Sequence, residues 1–315
     1  MSSISKGIRK TALDRKMDRI RALEESGKLG TKLTNRTLRK LLANKLAVFG
    51  AVMFVVICIL CFAAPLFTNW APTQISLRER MVGPCAEHLF GTDQMGRDIW
   101  SRMLYGGRIS IIVGLGSALG AALIGVSLGM FVGYKGGWLD ALILKISDVF
   151  LSFPQMVLII IIVALVGQSL QNMIIIFILT GWPSMYRMAR SKVLSLKEEE
   201  FVQALRAFGI SDLKIAFKHM LPNTVGPIVV NITLSTAMFI LQEASLSVLG
   251  YGVPQEIATW GNIINVITNA GVIRYDWLGY WWMWLPCAVM LILFVLSINF
   301  IGDGLRDASD PTQIG

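Results

Sequence analysis

Two sets of residues in this sequence have types and spacings that point to specific work. The first lies in the segment from Glu200 to Asn223, EFVQALRAFGISDLKIAFKHMLPN, a soluble-looking helical stretch set between long apolar runs. Gln203, Ala204 and Leu205 are followed after three residues by Gly209, and after eleven more by Leu221 and Pro222. Ala204 and Ala207 are small and favour helix, and Gly209 can take the positive φ that ends one short helix and lets the next leave at an angle. Phe208 beside that turn offers an apolar knob to a partner groove, and Pro222 suits the start of a new helix. Such a segment does mechanical work: it presents a protruding helix to another protein. An ordinary amphipathic loop helix is the other reading. The second set is Asn231, Gln242 and Glu243, polar groups within or near the outer end of the next apolar run. Polar groups inside a membrane are costly, which makes these three candidates for a substrate route; a closed interhelical hydrogen bond is the alternative for Glu243.

Other chemistry has little support. No G-x-x-x-x-G-K-[ST] phosphate loop occurs, so ATP hydrolysis and cofactor binding are not expected of this chain. The two histidines, His88 and His219, fall on opposite sides of the membrane in the topology derived below, against a histidine metal site or relay. Cys58 and Cys61 form a C-x-x-C inside an apolar run, where burial argues against redox or zinc chemistry, and with Cys85 and Cys287 they make no disulfide framework.

The elements that position these residues read as membrane spans. Of the 315 residues 54% are hydrophobic and 16% charged, with a mean hydropathy of +0.62, far from an average soluble domain. The formal net charge of +9 gathers in the first segment and the docking segment, which suits the positive-inside rule better than nucleic-acid binding. Residues 1–44 form a polar, basic tail with no removable signal peptide; Leu13, Met17, Ile20 and Leu23 predict an amphipathic helix on the membrane or a partner, a solvated tail being the alternative. Residues 45–108 hold the first span, about 46–67, and an outside loop. The second span, about 109–134, carries Gly116, Gly120, Gly125, Gly129 and Gly133, a stripe that permits close packing and predicts a central helix. A third span, about 142–166, is expected to kink at Ser152-Phe153-Pro154, with Lys145 and Asp148 as a local ion pair. The fourth, about 173–188, is short, contains Gly181-Trp182-Pro183, and continues helically into the loop at about 190–222. The fifth runs to about Gly250, and the last follows an aromatic belt of Tyr280, Trp281, Trp282 and Trp284. Residues 109–305 thus form a five-helix core and 306–315 a tail. Hydropathy and charge together give an all-α membrane protein of six transmembrane helices, with both termini and the docking loop in the cytoplasm.

Four stretches resemble one family. His88-Leu89-Phe90-Gly91-Thr92-Asp93-Gln94-Met95-Gly96-Arg97-Asp98 is similar to the H-x-x-G-T-D-x-x-G-R-D segment of the dipeptide, oligopeptide and nickel branch of ABC importer permeases. On the residues alone, Gly91 and Gly96 bracket a turn, Asp93 can cap the following helix, and Arg97 and Asp98 can pair locally. Glu243 to Val253, with Trp260-Gly261 beyond, resembles the same branch's E-A-S-L-S-F-L-G-x-G and W-G, with Val248 in place of Phe; Asn299 to Asp307 resembles its N-F-x-G-D-G-L-R-D tail. The docking segment resembles the EAA loop of these permeases, departing from its pattern at Gln203, Leu205 and His219.

The resemblance implies a type I (MetI-like) permease core with an extra N-terminal span, the C-type permease subunit of a bacterial inner-membrane importer of dipeptides or oligopeptides. It implies a heterodimer with a second permease, two ATPase subunits that carry ATP and Mg, and an extracytoplasmic substrate-binding protein. ATPase coupling would fall to Gln203, Ala204, Leu205, Ala207, Phe208, Gly209, Leu221 and Pro222. Nickel-chelate or glutathione import is the alternative within the family. A stand-alone secondary transporter is the alternative outside it, for which the midplane charges and inverted repeat are not evident.

Overall fold

The computed structural model describes residues 39–266 and 276–309. The expected amphipathic helix of the N-terminal tail and the last residues of the C-terminal tail lie outside them. The described residues are helical, with one isolated antiparallel bridge between Thr92 and Asp98. We name the helices α1 Lys45–Phe62, α2 Ile99–Lys135, α3 Gly137–Ser152, α4 Gln155–Val166, α5 Leu170–Lys197, α6 Glu200–Ala207, α7 Asp212–Val248, α8 Trp260–Ile264 and α9 Leu285–Ser309.

Four of these, α1, α2, α7 and α9, are long and apolar enough to cross a membrane, and α3 with α4 would make a fifth if counted as one broken span. The six spans expected from hydropathy are therefore not all distinct by length and composition. α5 is the one that falls short: its second half carries Arg187, Arg190, Lys192 and Lys197.

α2 is central, as the glycine stripe predicts. A Cβ on Gly125 would meet the Trp182 carbonyl and Met185 of α5, one on Gly129 would meet Ala189 and the Tyr186 carbonyl, and one on Gly114 would meet Ile240 of α7. Gly116 of the predicted stripe faces open space. Two apolar clusters flank α2. One gathers Cys61, Met103, Ile240, Trp260, Cys287 and Phe294 from α1, α2, α7, α8 and α9. The other joins α2 to Ile159 and Val163 of α4, Phe177 of α5 and Phe239 of α7, with the Phe177 and Phe239 rings stacked at 5.2 Å.

Several local expectations are corrected. α2 starts at Ile99, ten residues before the apolar run, because Asp98 rather than Asp93 caps it, accepting from the Ser101 N–H at 2.7 Å. Arg97 pairs with Asp93 at 2.7 Å and Asp98 with His88 at 2.9 Å, not with each other. Asp148 pairs with Arg187 of α5 instead of Lys145. Pro222 does not open a new helix: α7 is continuous from Asp212, and a π-helical stretch at Ile215–Met220 widens the backbone just before the proline, whose ring and missing N–H a regular turn would not accommodate. Trp282 packs over Gly83 and sits where a Cβ on Gly91 would go, so it is part of the loop's packing and not only of an interfacial belt.

Candidate coupling surface and buried polar sites

α6 projects from the end of the molecule where α2 and α5 finish. Val202 is fully buried, anchored among Met130 and Tyr134 of α2, Val193 of α5 and Ile215, Ala216 and Met220 of α7, with Leu205 and Leu221 packed against the same group. The helix has eight residues and ends where Gly209 takes φ +71°, the left-handed turn expected of it, with nothing within 4 Å of a would-be Cβ. Gln203, Ala204 and Ala207 lie exposed on the outer side. Phe208 stands 83% exposed at the tip, an apolar ring that the described residues leave uncovered. Pro222 is also exposed, two turns beyond the π stretch's start.

The base of this projection is tied down by residues that sequence reasoning missed. Tyr134 is buried at the end of α2; its hydroxyl accepts from Arg206 Nε at 2.8 Å, and the Arg206 guanidinium lies 4.9 Å from its ring centroid with the Lys197 ammonium at 5.7 Å. One helical layer further in, Asp140 of α3 accepts from Arg190 Nε and Nη2, both at 2.6 Å, and from the Tyr186 hydroxyl at 3.1 Å. The partners are separated by some fifty to seventy residues, and only the opposite charges within or beside apolar runs could have signalled them.

At the opposite end sits Glu243, fully buried on α7. Its carboxylate accepts from the Ser247 hydroxyl at 2.9 Å and the Ser110 hydroxyl of α2 at 3.4 Å, and bonds with the Thr259 side chain. Ser110 in turn accepts from the Trp260 N–H at 3.1 Å. The three hydroxyls enclose the acid between α2, α7 and the loop leading to α8. We expect Glu243→Leu to destabilise the protein by about 1–3 kcal/mol by leaving these hydroxyls unpaired, whereas Glu243→Gln, which can still accept, should cost less; thermal unfolding in detergent ranks the two, and an unchanged midpoint for Glu243→Leu would show that the network contributes nothing.

Asn231 and Gln242 differ from Glu243. Asn231 is half-buried and turned back on its own helix, donating to the Pro227 carbonyl at 3.0 Å. Gln242 donates to Gln155 Oε1 of α4 at 3.0 Å, while its own Oε1 is shielded and unpaired.

A family model described as a binding-protein-dependent transport system inner membrane component matches residues 125–314. A second, the N-terminal transmembrane domain of oligopeptide transport permease C, matches residues 32–84. The chain is 40% identical over 273 residues to the dipeptide transport system permease protein DppC of Alkalihalophilus pseudofirmus, which spans 87% of this chain and 88% of that one. It is 36% identical over 293 residues to a putative peptide permease protein of Brucella suis, over 93% and 96% of the two chains. Among solved structures, a chain of the MetNI methionine ABC transporter in inward-facing conformations matches with a TM-score of 0.49 and 21% identity, covering 66% of this chain and 96% of that one.

Proposed function

This chain belongs to the family of binding-protein-dependent transport system inner membrane components, and from that premise we propose that it is one permease subunit of an ATP-driven importer whose cargo is peptide. The names of the relatives support peptide as cargo. In this reading α1, α2, the broken α3–α4 pair, α5, α7 and α9 are six spans. The separate match over residues 32–84 supports α1 as an addition before a five-helix core. Both termini and α6 face the cytoplasm, and the loop containing His88 and Asp98 faces outward, where a substrate-binding protein delivers cargo.

The observation that carries the mechanism is the uncovered ring of Phe208 on a helix anchored by Val202 and stopped by Gly209. A second permease completes the passage, and two ATPase subunits, which carry ATP and Mg, grip the face made by Gln203, Ala204, Ala207, Phe208 and Gly209, with Leu205 packed beneath it and Leu221 and Pro222 at its base. Closure of the ATPases displaces α6, and the ties through Tyr134 pass the displacement to α2. Such coupling needs contacts that differ between two states, and α6 is the element placed to make them.

The test is affinity purification of the chain from gently solubilised membranes, with the bound proteins identified by mass spectrometry. A second permease and one or two ATPases should accompany it. Recovery of the chain alone or as a homo-oligomer would overturn the reading and reopen the stand-alone transporter.

A further inference from the structure

The chain breaks between Ser152 and Gln155, where α3 and α4 meet at 91°. Phe153 is extended, at φ −95° and ψ 143°, as the residue before a proline prefers, and no side chain caps α4. The depth of this break follows from its neighbours. Phe150 packs edge-on against Trp182 at 5.9 Å, and Trp182 lies about 18 Å along α5 from Leu170. At the other end of α4, Gln168 donates to the Gly250 carbonyl just past the end of α7. Gln242, bonded to Gln155, lies about 9 Å inside that end. The break therefore falls inside a hydrocarbon core about 30 Å thick.

Helix ends leave backbone N–H and C=O groups without partners. Within a bilayer such ends are tolerated only when buried in protein or bordering water. Here they are not buried, since Leu151, Ser152, Phe153 and Pro154 are all exposed. Beside them lie the paired, half-buried carboxamides of Gln155 and Gln242, with Gln242 Oε1 unpaired and shielded from the surface. Lipid is the wrong neighbour for the exposed backbone groups of the break and for the Gln155 carboxamide beside them.

We propose that the Ser152–Gln155 break and the Gln155–Gln242 pair line the aqueous passage inside the membrane and form a contact for the main-chain amides of a peptide in transit, an inference that rests on the importer reading above. A carboxamide offers one donor and one acceptor side, the complement of a peptide group, and it does so without the charge that would hold cargo too tightly to release. Discontinuous helices with freed backbone groups at membrane depth are a recurrent way to build such a contact.

The experiment uses the assembled importer in membrane vesicles, with Cys85→Ser and Cys58→Ala substitutions; Cys61 and Cys287 are fully buried and stay. Gln155→Cys should react with a membrane-impermeant, positively charged methanethiosulfonate, at rest or during ATP turnover. Val157→Cys, two residues on and therefore on the opposite side of α4, and itself exposed, should not. Resistance of Gln155→Cys in both states, or equal reaction at the two positions, overturns the placement. The importer reading would survive that result if the same preparation still holds its ATPases and takes up peptide. For the contact itself, Gln242→Leu should slow uptake of a radiolabelled di- and tripeptide pool about tenfold with ATPase capture unchanged; undiminished uptake overturns the contact.

Discussion

A Phe208→Asp variant is expected to insert and fold as the parent does, yet to bind its ATPase partners about a hundredfold more weakly and to lose most uptake. At 83% exposed, the ring contributes little packing within this chain, so its loss should not disturb α6. An aromatic side chain at the centre of a protein interface contributes about 2–4 kcal/mol when truncated, and a carboxylate in the same apolar groove adds a desolvation cost. The measurement is ATPase recovery in the affinity purification, together with uptake. Gly209→Arg separates contact from conformation: at φ +71° any side chain strains the turn, although nothing within 4 Å would obstruct it. That variant should retain some ATPase binding while hydrolysis proceeds without transport. Normal uptake by both variants would remove the coupling role from this loop.

What the sequence made legible here was local. The turn at Gly209 and the proline at 154 announce themselves because their conformational consequences fall within two or three residues. The glycine stripe of α2 was readable for the same reason: a spacing of four is a property of one helix. The degree of the break at Pro154 was not readable as a mere kink, because Phe153 leaves the helix altogether and α4 departs at 91°. The acids of the His88–Asp98 segment were misassigned even though their spacing was in view. Gly91 and Gly96 both take positive φ, and that path folds Asp93 back onto the N–H groups of Met95 and Arg97 while setting Asp98 free to cap α2. Least visible were ties that join distant parts of the chain: Tyr134 with Arg206, Asp140 with Arg190, Gln155 with Gln242. Each partner is ordinary in its own window, and only tertiary packing gives it a role. Leu205 shows the same limit within the coupling segment, where it points inward to the anchor while Gln203 and Ala204 beside it face out.

Asp93→Ala should be the most destabilising single change in the loop between α1 and α2, by about 3–5 kcal/mol. Asp93 is 3% exposed and accepts from the Met95 N–H at 2.8 Å, the Arg97 N–H at 3.0 Å and Arg97 Nε at 2.7 Å, with Arg102 Nε 3.7 Å away. Arg97 and Arg102 are themselves buried, so the alanine variant would leave two shielded guanidinium groups without their counter-charge. Arg102 would keep its bond to the Pro72 carbonyl at 3.2 Å. The turn would loosen as well, because the Met95 and Arg97 N–H groups would lose their acceptor, leaving its closure to backbone bonds such as Gly96 N–H to the Asp93 carbonyl at 2.9 Å and Asp93 N–H to the Arg97 carbonyl at 3.0 Å. A control with the same chemistry and different burial makes the claim testable. Asp148 and Arg187 also form an ion pair, but their side chains are 52% and 47% exposed, and Asp148→Ala should cost under about 1 kcal/mol. Thermal unfolding in detergent should separate the two variants clearly, and trypsin should cut the Asp93→Ala loop at Arg80 or Arg97 faster than the parent. If both alanine variants unfold together, burial is not what gives the Asp93 cluster its strength, and the loop between α1 and α2 is held by its apolar contacts with Trp282 and Trp100 instead.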